Sequence, residues 1–153
     1  MVTMVGTQKS FIKAIQELIE LDYDAIGAYE SAIKNLTKQK YKEKLEDFKE
    51  DHQRHITELS AFLKRCKEKV PEGPDNTKKL LAKGKVEIAS LFGDINILSA
   101  MLSNEEDTNT AYSRMNSRVD ESNDAEIAQV IANGLADERK HKHWLQITIS
   151  NEE

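Results

Sequence analysis

Apolar residues recur along most of this chain at alternating steps of four and three, the spacing of a helix face buried in a bundle. This pattern predicts four long helices, over residues 8–36, 42–69, 95–118 and 124–149. A shorter helix is predicted over residues 78–92, between a Pro-Glu-Gly-Pro stretch at 71–74 and Gly93. Thr7 and Asp94 are the predicted N-terminal caps of the first and third long helices.

Each of the four apolar faces is interrupted near its middle by side chains that are costly to bury without a partner. The first and third long helices each carry a carboxylate there. The second carries a His-x-x-His sequence and the fourth a Glu-x-x-His sequence, and residues at this spacing share one helix face. The six interrupting residues are Asp22, His52, His55, Glu105, Glu138 and His141.

The first two and the last two long helices form matching halves. Asp22 is followed seven residues later by Tyr29, and Glu105 is followed at the same distance by Tyr112. The His-x-x-His of the second helix then corresponds to the Glu-x-x-His of the fourth. In a four-helix bundle all six interrupting residues would meet at one depth. Carboxylate and imidazole together suit iron, manganese or zinc, so the pattern predicts an interior metal site.

Taken singly, each of these features has a simpler explanation. A lone carboxylate such as Asp22 is usually hydrogen-bonded or at the edge of an apolar face, and a lone Glu-x-x-His is usually solvated. His52 and His55 could form a satisfied core pair or a surface zinc clip, and Tyr29 and Tyr112 fit an ordinary core. Burying several ionisable groups without a ligand costs roughly several kcal/mol each. The coincidence in all four helices therefore favours a metal site.

Neighbouring residues leave some freedom in the assignment. Asp51 and Glu106 could serve as ligands if the helical register shifts by one residue. His143 lies on another face from His141 and is expected to be exposed. Asp24 is expected to be solvated, and Cys66 is expected to be a small buried residue at the end of the second helix.

Composition narrows the class of protein. The 153 residues are expected to form one domain over 7–150, and 32% charged residues with two prolines favour helices over sheet. A net charge of -5 without a basic block argues against nucleic acid as a partner. The single cysteine fits a reducing compartment. No stretch approaches the roughly 18–20 apolar residues of a membrane span, and no signal-peptide pattern is present. The expectation is a cytoplasmic protein with no membrane partner.

The site residues resemble those of the ferritin-like superfamily, which includes bacterioferritin, ferritin and rubrerythrin. In that family a carboxylate on the first helix precedes a tyrosine by seven residues, as Asp22 precedes Tyr29. Its last helix carries Glu-x-x-His followed by Trp-Leu, which Glu138, His141 and the pair at 144–145 match. The resemblance spans residues 8–149 and is greatest to small bacterial members of unknown function.

The resemblance implies an all-α, ferritin-like antiparallel four-helix bundle with a crossover helix between helices 2 and 3. It also implies a di-iron or other di-metal centre, with manganese and zinc as alternatives to iron. Glu138 would bridge the metals, Asp22 and Glu105 would be terminal ligands, and the histidines would be nitrogen donors. Tyr29 and Tyr112 would donate hydrogen bonds to the ligands. The implied chemistry is oxidation with oxygen or peroxide, as in a non-haem iron oxidoreductase, and a homodimer is expected.

One position departs from the family. The second helix should carry Glu-x-x-His, but His52 stands where the glutamate would be. Only Glu138 would then remain as a bridging carboxylate, so a single metal becomes an alternative to a pair. Asp22 is also shorter than the usual glutamate. The competing hypothesis is a non-enzymatic binding or stress protein, a helical bundle whose metal site is degenerate.

Overall fold

A computed structural model describes residues 2–152 of the chain, and all its long elements are helices. No strand occurs within this range. The prediction of an all-α bundle is therefore confirmed. The elements are α1 (Phe11–Asn35), α2 (Gln39–Arg65), α3 (Lys85–Ala89), α4 (Asp94–Asn116), a 3₁₀ turn (Val119–Glu121) and α5 (Ala125–Glu152).

The four long helices are antiparallel to their neighbours in the bundle. Across the α1–α4 contact, Asp22 faces Tyr112, whereas Tyr29, seven residues later, faces Glu105, seven residues earlier. Helix α2 pairs with α1 and α5 in the same antiparallel sense. It follows that α2 and α4 run parallel, so the chain between them crosses the full length of the bundle, as predicted.

The crossing segment is mostly irregular, and the predicted helix over 78–92 is wrong in extent. Only Lys85–Ala89 is helical. The side chain of Asn104 on α4 accepts a hydrogen bond from the backbone N–H of Lys83 at 2.8 Å and donates one to its carbonyl at 2.7 Å. Asp107 accepts another from the backbone N–H of Ala82 at 3.0 Å. Helix α4 thus satisfies backbone groups that a longer helix would have paired internally.

Both predicted caps are wrong. Helix α1 begins at Phe11, and the side chain of Ser10, not Thr7, accepts the N–H of Lys13 at 3.1 Å. Asp94 does not cap its own helix. Its carboxylate accepts the backbone N–H of Thr37 at 2.8 Å, and that of the next residue, at the start of α2. Helices α1 and α2 form one helical hairpin, and α4 and α5 form the other. The turn of the first hairpin is therefore hydrogen-bonded to the first residue of the second.

The core consists of the predicted apolar faces. The residues of those faces are buried on all four long helices, with one exception. Cys66, which was expected to be buried, is exposed because α2 ends at Arg65. Trp144 packs edge-on against Phe48, with ring centroids 5.7 Å apart. None of the helices within residues 2–152 is long and apolar enough to cross a membrane.

Candidate metal centre

All six residues that interrupt the apolar faces lie together at the middle of the bundle. Each is at most 1% exposed. Their ligand-type atoms form two overlapping groups, within each of which the atoms lie no more than 4.8 Å apart. Both groups contain His52 and Glu138, and either arrangement could hold a metal ion. The first group adds Asp22 and His55, and the second adds Glu105 and His141.

The two carboxylates from α1 and α4 are held by tyrosines from the opposite helix. The Tyr112 hydroxyl donates to Asp22 Oδ2 at 2.7 Å, and the Tyr29 hydroxyl donates to Glu105. Burial and the facing carboxylate raise the pKa of each tyrosine well above its ordinary value. The tyrosines therefore keep their protons and act as donors, which orients the two carboxylates.

Two aspartates outside the six hold the ring orientation of two histidines. His141 Nε2 lies 2.8 Å from Asp51 Oδ2, and His55 Nε2 lies 2.9 Å from Asp137 Oδ2. Each histidine therefore turns its Nδ1 inward, an arrangement typical of metal-binding histidines. Asp51 is a hydrogen-bond partner of a histidine, not a substitute member of the cluster.

Asp137 is not among the residues that the apolar spacing predicts for the centre, although the sequence contains a signal for it. An aspartate directly precedes the His-x-x-His sequence of α2 and the Glu-x-x-His sequence of α5. The two motifs therefore read Asp51-His52-x-x-His55 and Asp137-Glu138-x-x-His141. The aspartate of each motif contacts the histidine at the end of the other motif. The aspartate that comes one residue before each motif is therefore the sequence signal for this pair of histidine partners.

The remaining neighbours lie away from the centre or on another face. Glu106 and His143 are exposed, as expected for His143. Asp24 is half-buried on the outer side of α1, where it was expected to be solvated. Thr108 on α4 is buried beside the centre, and its hydroxyl lies 2.8 Å from Glu138 Oε2 and 3.0 Å from Glu105 Oε2. It can donate to one of these at a time.

Three buried atoms of the centre have no hydrogen-bond partner among residues 2–152. They are His52 Nε2, Glu138 Oε1 and His141 Nδ1. His52 Nε2 lies 3.5 Å from Glu138 Oε1 and 3.7 Å from Glu105 Oε1. His141 Nδ1 lies 3.4 Å from Glu105 Oε1 and 3.6 Å from Glu138 Oε2. Atoms about 2.1 Å from a tetrahedral metal lie about 3.4 Å from one another, so this spacing suits coordination.

The buried carboxylates raise the pKa values of the histidines in the cluster. Burial lowers the pKa of His141, but the Glu105 charge and the bond to Asp51 outweigh it and raise the pKa to about 12. Burial also lowers the pKa of His52, but the Glu138 charge and the hydrogen bond to Asp22 outweigh it and raise the pKa to about 10. Burial and the Glu105 charge raise the pKa of Glu138 to about 7. The same carboxylate charges that raise the pKa of these histidines would also attract a metal cation.

A family model matches residues 10–116, which is more than half of the chain. Its description is a domain of unknown function, DUF2383. The chain belongs to this family. The match ends with α4, so Glu138 and His141 lie outside the matched part of the family domain. No curated protein and no solved structure matches the chain. The ferritin-like resemblance is not part of the DUF2383 match and stays a prediction.

Proposed function

We propose that this protein is a metal-binding helical bundle of the non-haem iron type, with iron bound for a redox or iron-handling reaction. The observation that carries the proposal is that three buried atoms without a hydrogen-bond partner belong to the residues of one ligand group. A buried polar atom without a partner costs about 1–3 kcal/mol. Such a cost is removed if all three atoms bind the same cation.

The donor set supports iron over softer or harder ions. Three carboxylates and three imidazoles surround the centre, without a thiolate. Carboxylates alone would suit magnesium or calcium, and thiolates would suit zinc or copper(I). Mixed nitrogen and oxygen donors suit iron, and manganese or zinc are the alternatives that the same donors accept. Bound iron would supply one-electron chemistry with oxygen or peroxide.

The chain's own residues would bind and position the metal and keep water away. Glu105, Glu138, His52 and His141 form the group with the unpartnered atoms, and we assign the first metal to it. Asp22 and His55 would complete a second position. The tyrosine hydroxyls and the outer aspartates would fix the carboxylates and imidazoles in place. Each of the six residues is at most 1% exposed, so the centre is closed to solvent.

The test is metal uptake by protein purified without an affinity tag. We expect about one or two metal ions per chain after anaerobic addition of Fe(II), since two overlapping ligand groups are present. Binding to the folded state alone raises stability by about 2.7 kcal/mol at a free metal concentration of a hundred dissociation constants. A rise in melting temperature should therefore accompany uptake, measured by element analysis and calorimetry.

Glu138→Ala and Glu106→Ala provide a matched pair of variants. The first removes a buried carboxylate from the centre, and the second removes an exposed one from α4. We expect Glu138→Ala to lose metal and the metal-dependent rise in melting temperature, whereas Glu106→Ala keeps both. Wild-type protein that takes up only a trace of metal would exclude the proposed function.

A polar core without metal is the competing function, and one observation favours it. Asp22 is already satisfied by Tyr112 at 2.7 Å and by His52 at 2.7 Å. In that case the bundle would be a binding or stress protein whose centre is held by protonated histidines. This competing function predicts that added Fe(II) leaves both the metal content and the melting temperature of the protein unchanged.

A further inference from the structure

His52 differs from the other two histidines of the centre in having no outer carboxylate partner among the described residues 2–152. His55 and His141 each use Nε2 for an outer aspartate and offer only Nδ1 to the interior. Each can therefore bind one metal at most. Both nitrogens of His52 face ligand-type atoms, so this ring alone is placed to serve two metals.

The two sides of the His52 ring face different ligand groups. Nδ1 lies 2.7 Å from Asp22 Oδ1, and the same oxygen lies 3.4 Å from His55 Nδ1. Nε2 lies 3.7 Å from Glu105 Oε1 and 3.5 Å from Glu138 Oε1. The Nε2 side therefore belongs to the group that includes Glu105, and the Nδ1 side belongs to the group that includes Asp22.

The position of His52 in the bundle strengthens this assignment. It corresponds to Glu138, the first residue of the matching motif on α5. The Oε1 atom of Glu138 lies 3.6 Å from His55 Nδ1 and 3.5 Å from His52 Nε2, and its Oε2 atom lies 3.6 Å from His141 Nδ1. Glu138 is thus shared by both groups, as His52 is.

We propose that His52 bridges two metal ions through both ring nitrogens, as an imidazolate. The proposal rests on the function proposed above and adds the number of metals and the manner in which they are joined. Protonated His52 carries an N–H on each nitrogen. The first metal binds the lone pair of Nε2 and the proton of that nitrogen leaves to solvent, while the N–H at Nδ1 still donates to Asp22. Binding of the second metal at Nδ1 breaks that N–H bond, its electron pair stays on nitrogen, and the proton leaves to solvent.

Copper(II) is the probe for this bridge, because imidazole and carboxylate bind it well and each ion carries one unpaired electron. Copper is added to metal-free, full-length protein, and bound copper is compared with the electron paramagnetic resonance signal at liquid-helium temperature. We expect the first copper to give its full signal. The second copper should remove most of the signal, because electrons on two ions that share an imidazolate pair their spins.

His52→Gln tests whether the bridge is the imidazole or Glu138. Glutamine places an amide near the Nε2 position but has no second nitrogen for another metal. We expect this variant either to lose the second copper or to bind two copper ions with full signal. His52→Asn, which keeps a polar group near Nδ1, serves the same purpose if the glutamine variant does not fold. His143→Gln, which changes an exposed histidine, should behave as wild type.

The outcomes separate this inference from the proposed function. Two copper ions with full signal in the wild type, or a single copper ion, overturn the bridge and leave the metal site standing. Persistent loss of signal in His52→Gln with two copper ions assigns the bridge to Glu138 and also overturns it. No uptake of copper or iron by the wild type removes both proposals.

Discussion

At the scale of single residues, a glycine decides whether the tyrosine of α4 can reach its carboxylate. Gly134 lies on the buried face of α5, opposite the ring of Tyr112. A Cβ atom at this position would lie 2.5 Å from Tyr112 Cε1 and 2.9 Å from Cδ1. Only a residue without a side chain leaves room for the ring whose hydroxyl donates to Asp22. The glycine is therefore part of the centre, although it bears no chemical group.

Gly134→Ala should destabilise the protein in spite of the better helix propensity of alanine. The propensity gain is about 1 kcal/mol, whereas overpacking costs about 1–3 kcal/mol and a lost hydrogen bond costs about 1 kcal/mol. We expect a net loss of about 1–3 kcal/mol in the free energy of unfolding, measured in urea.

Gly27→Ala is the matched control on α1. Its Cβ would meet only Lys85 Cδ, at an ordinary 3.7 Å. This variant should gain up to about 1 kcal/mol from helix propensity. If the two substitutions changed stability equally, the close approach of Gly134 to Tyr112 would not matter.

Asp24 should make stability depend on pH in mildly acidic solution. Burial and the nearby charges of Glu20 and Asp75 raise its pKa from 3.8 to about 6. A carboxyl group whose pKa is raised by folding stabilises the folded state below the unfolded pKa and loses that contribution as pH rises through the folded pKa. The contribution of Asp24 is therefore lost between about pH 4 and pH 6.

Asp24→Asn should raise the melting temperature at neutral pH and have little effect near pH 4. Asn carries no charge at either pH, so the cost of the ionised carboxylate disappears. Asp47→Asn, at an exposed position of α2, is the control. An equal gain for Asp24→Asn at both pH values would contradict the expected role of ionisation.

At the scale of elements, the crossing segment depends on α4 more than on its own helical propensity. Its regular part, Lys85–Ala89, is too short to be stable alone. Asn104 and Asp107 instead hold the backbone of Ala82 and Lys83 through side-chain hydrogen bonds. Substitutions on α4 should therefore affect the crossing segment, although the substituted residues are distant from it in sequence.

Asn104→Ala should loosen the crossing segment. The variant removes both partners of the Lys83 backbone, and an unsatisfied buried group costs about 1–3 kcal/mol. Water can reach part of this region, so the lower end of that range is expected. Amide exchange measured by mass spectrometry should speed up at residues 82–83 and stay unchanged in the middle of α2.

Asn96→Ala is the control for that exchange experiment. Asn96 is an exposed residue of the same helix whose side chain bonds only the Phe92 carbonyl. Unchanged exchange at residues 82–83 in Asn104→Ala, or the same change in both variants, would mean that the side chain of Asn104 does not hold the segment.

At the scale of the whole molecule, the two hairpins hold each other through contacts along their full length. Contacts between them include Thr37 with Asp94, Asp22 with Tyr112, and Arg65 with Asp124. The crossing segment, which joins the hairpins in sequence, has an exposed stretch around Glu72 and Pro74. A break in this stretch should therefore leave the two hairpins associated once the protein has folded.

Limited proteolysis should cut the exposed stretch at residues 72–77 without separating the hairpins. We expect the two fragments to elute together from a sizing column in native buffer and apart in denaturant. The physical reason is the apolar face that each hairpin buries against the other. Separation in native buffer would show that covalent continuity, and not packing, keeps the halves together.

Much of this arrangement could be predicted from the sequence, because periodicity reports which residues face the interior. The buried faces of all four long helices and the gathering of Asp22 with Glu138 follow from spacing alone. The cap at Ser10, the short α3 and the role of Asp94 could not be predicted in this way. The short α3 and the role of Asp94 depend on side chains that bond backbone groups of a distant element, which no local pattern records. The Ser10 cap is a local bond to the N–H of Lys13, but Thr7 and Ser10 are both cap-type residues and the apolar spacing does not choose between them.

The matched halves of the bundle have a consequence for how such a centre can change. Two separate identical hairpins, paired about a symmetry axis, would be forced to present the same residue at both central positions. This chain presents His52 at one and Glu138 at the other. Because a single polypeptide carries both hairpins, one position can mutate while its counterpart stays fixed. Loss of symmetry is here the condition for having an imidazole and a carboxylate at equivalent central positions.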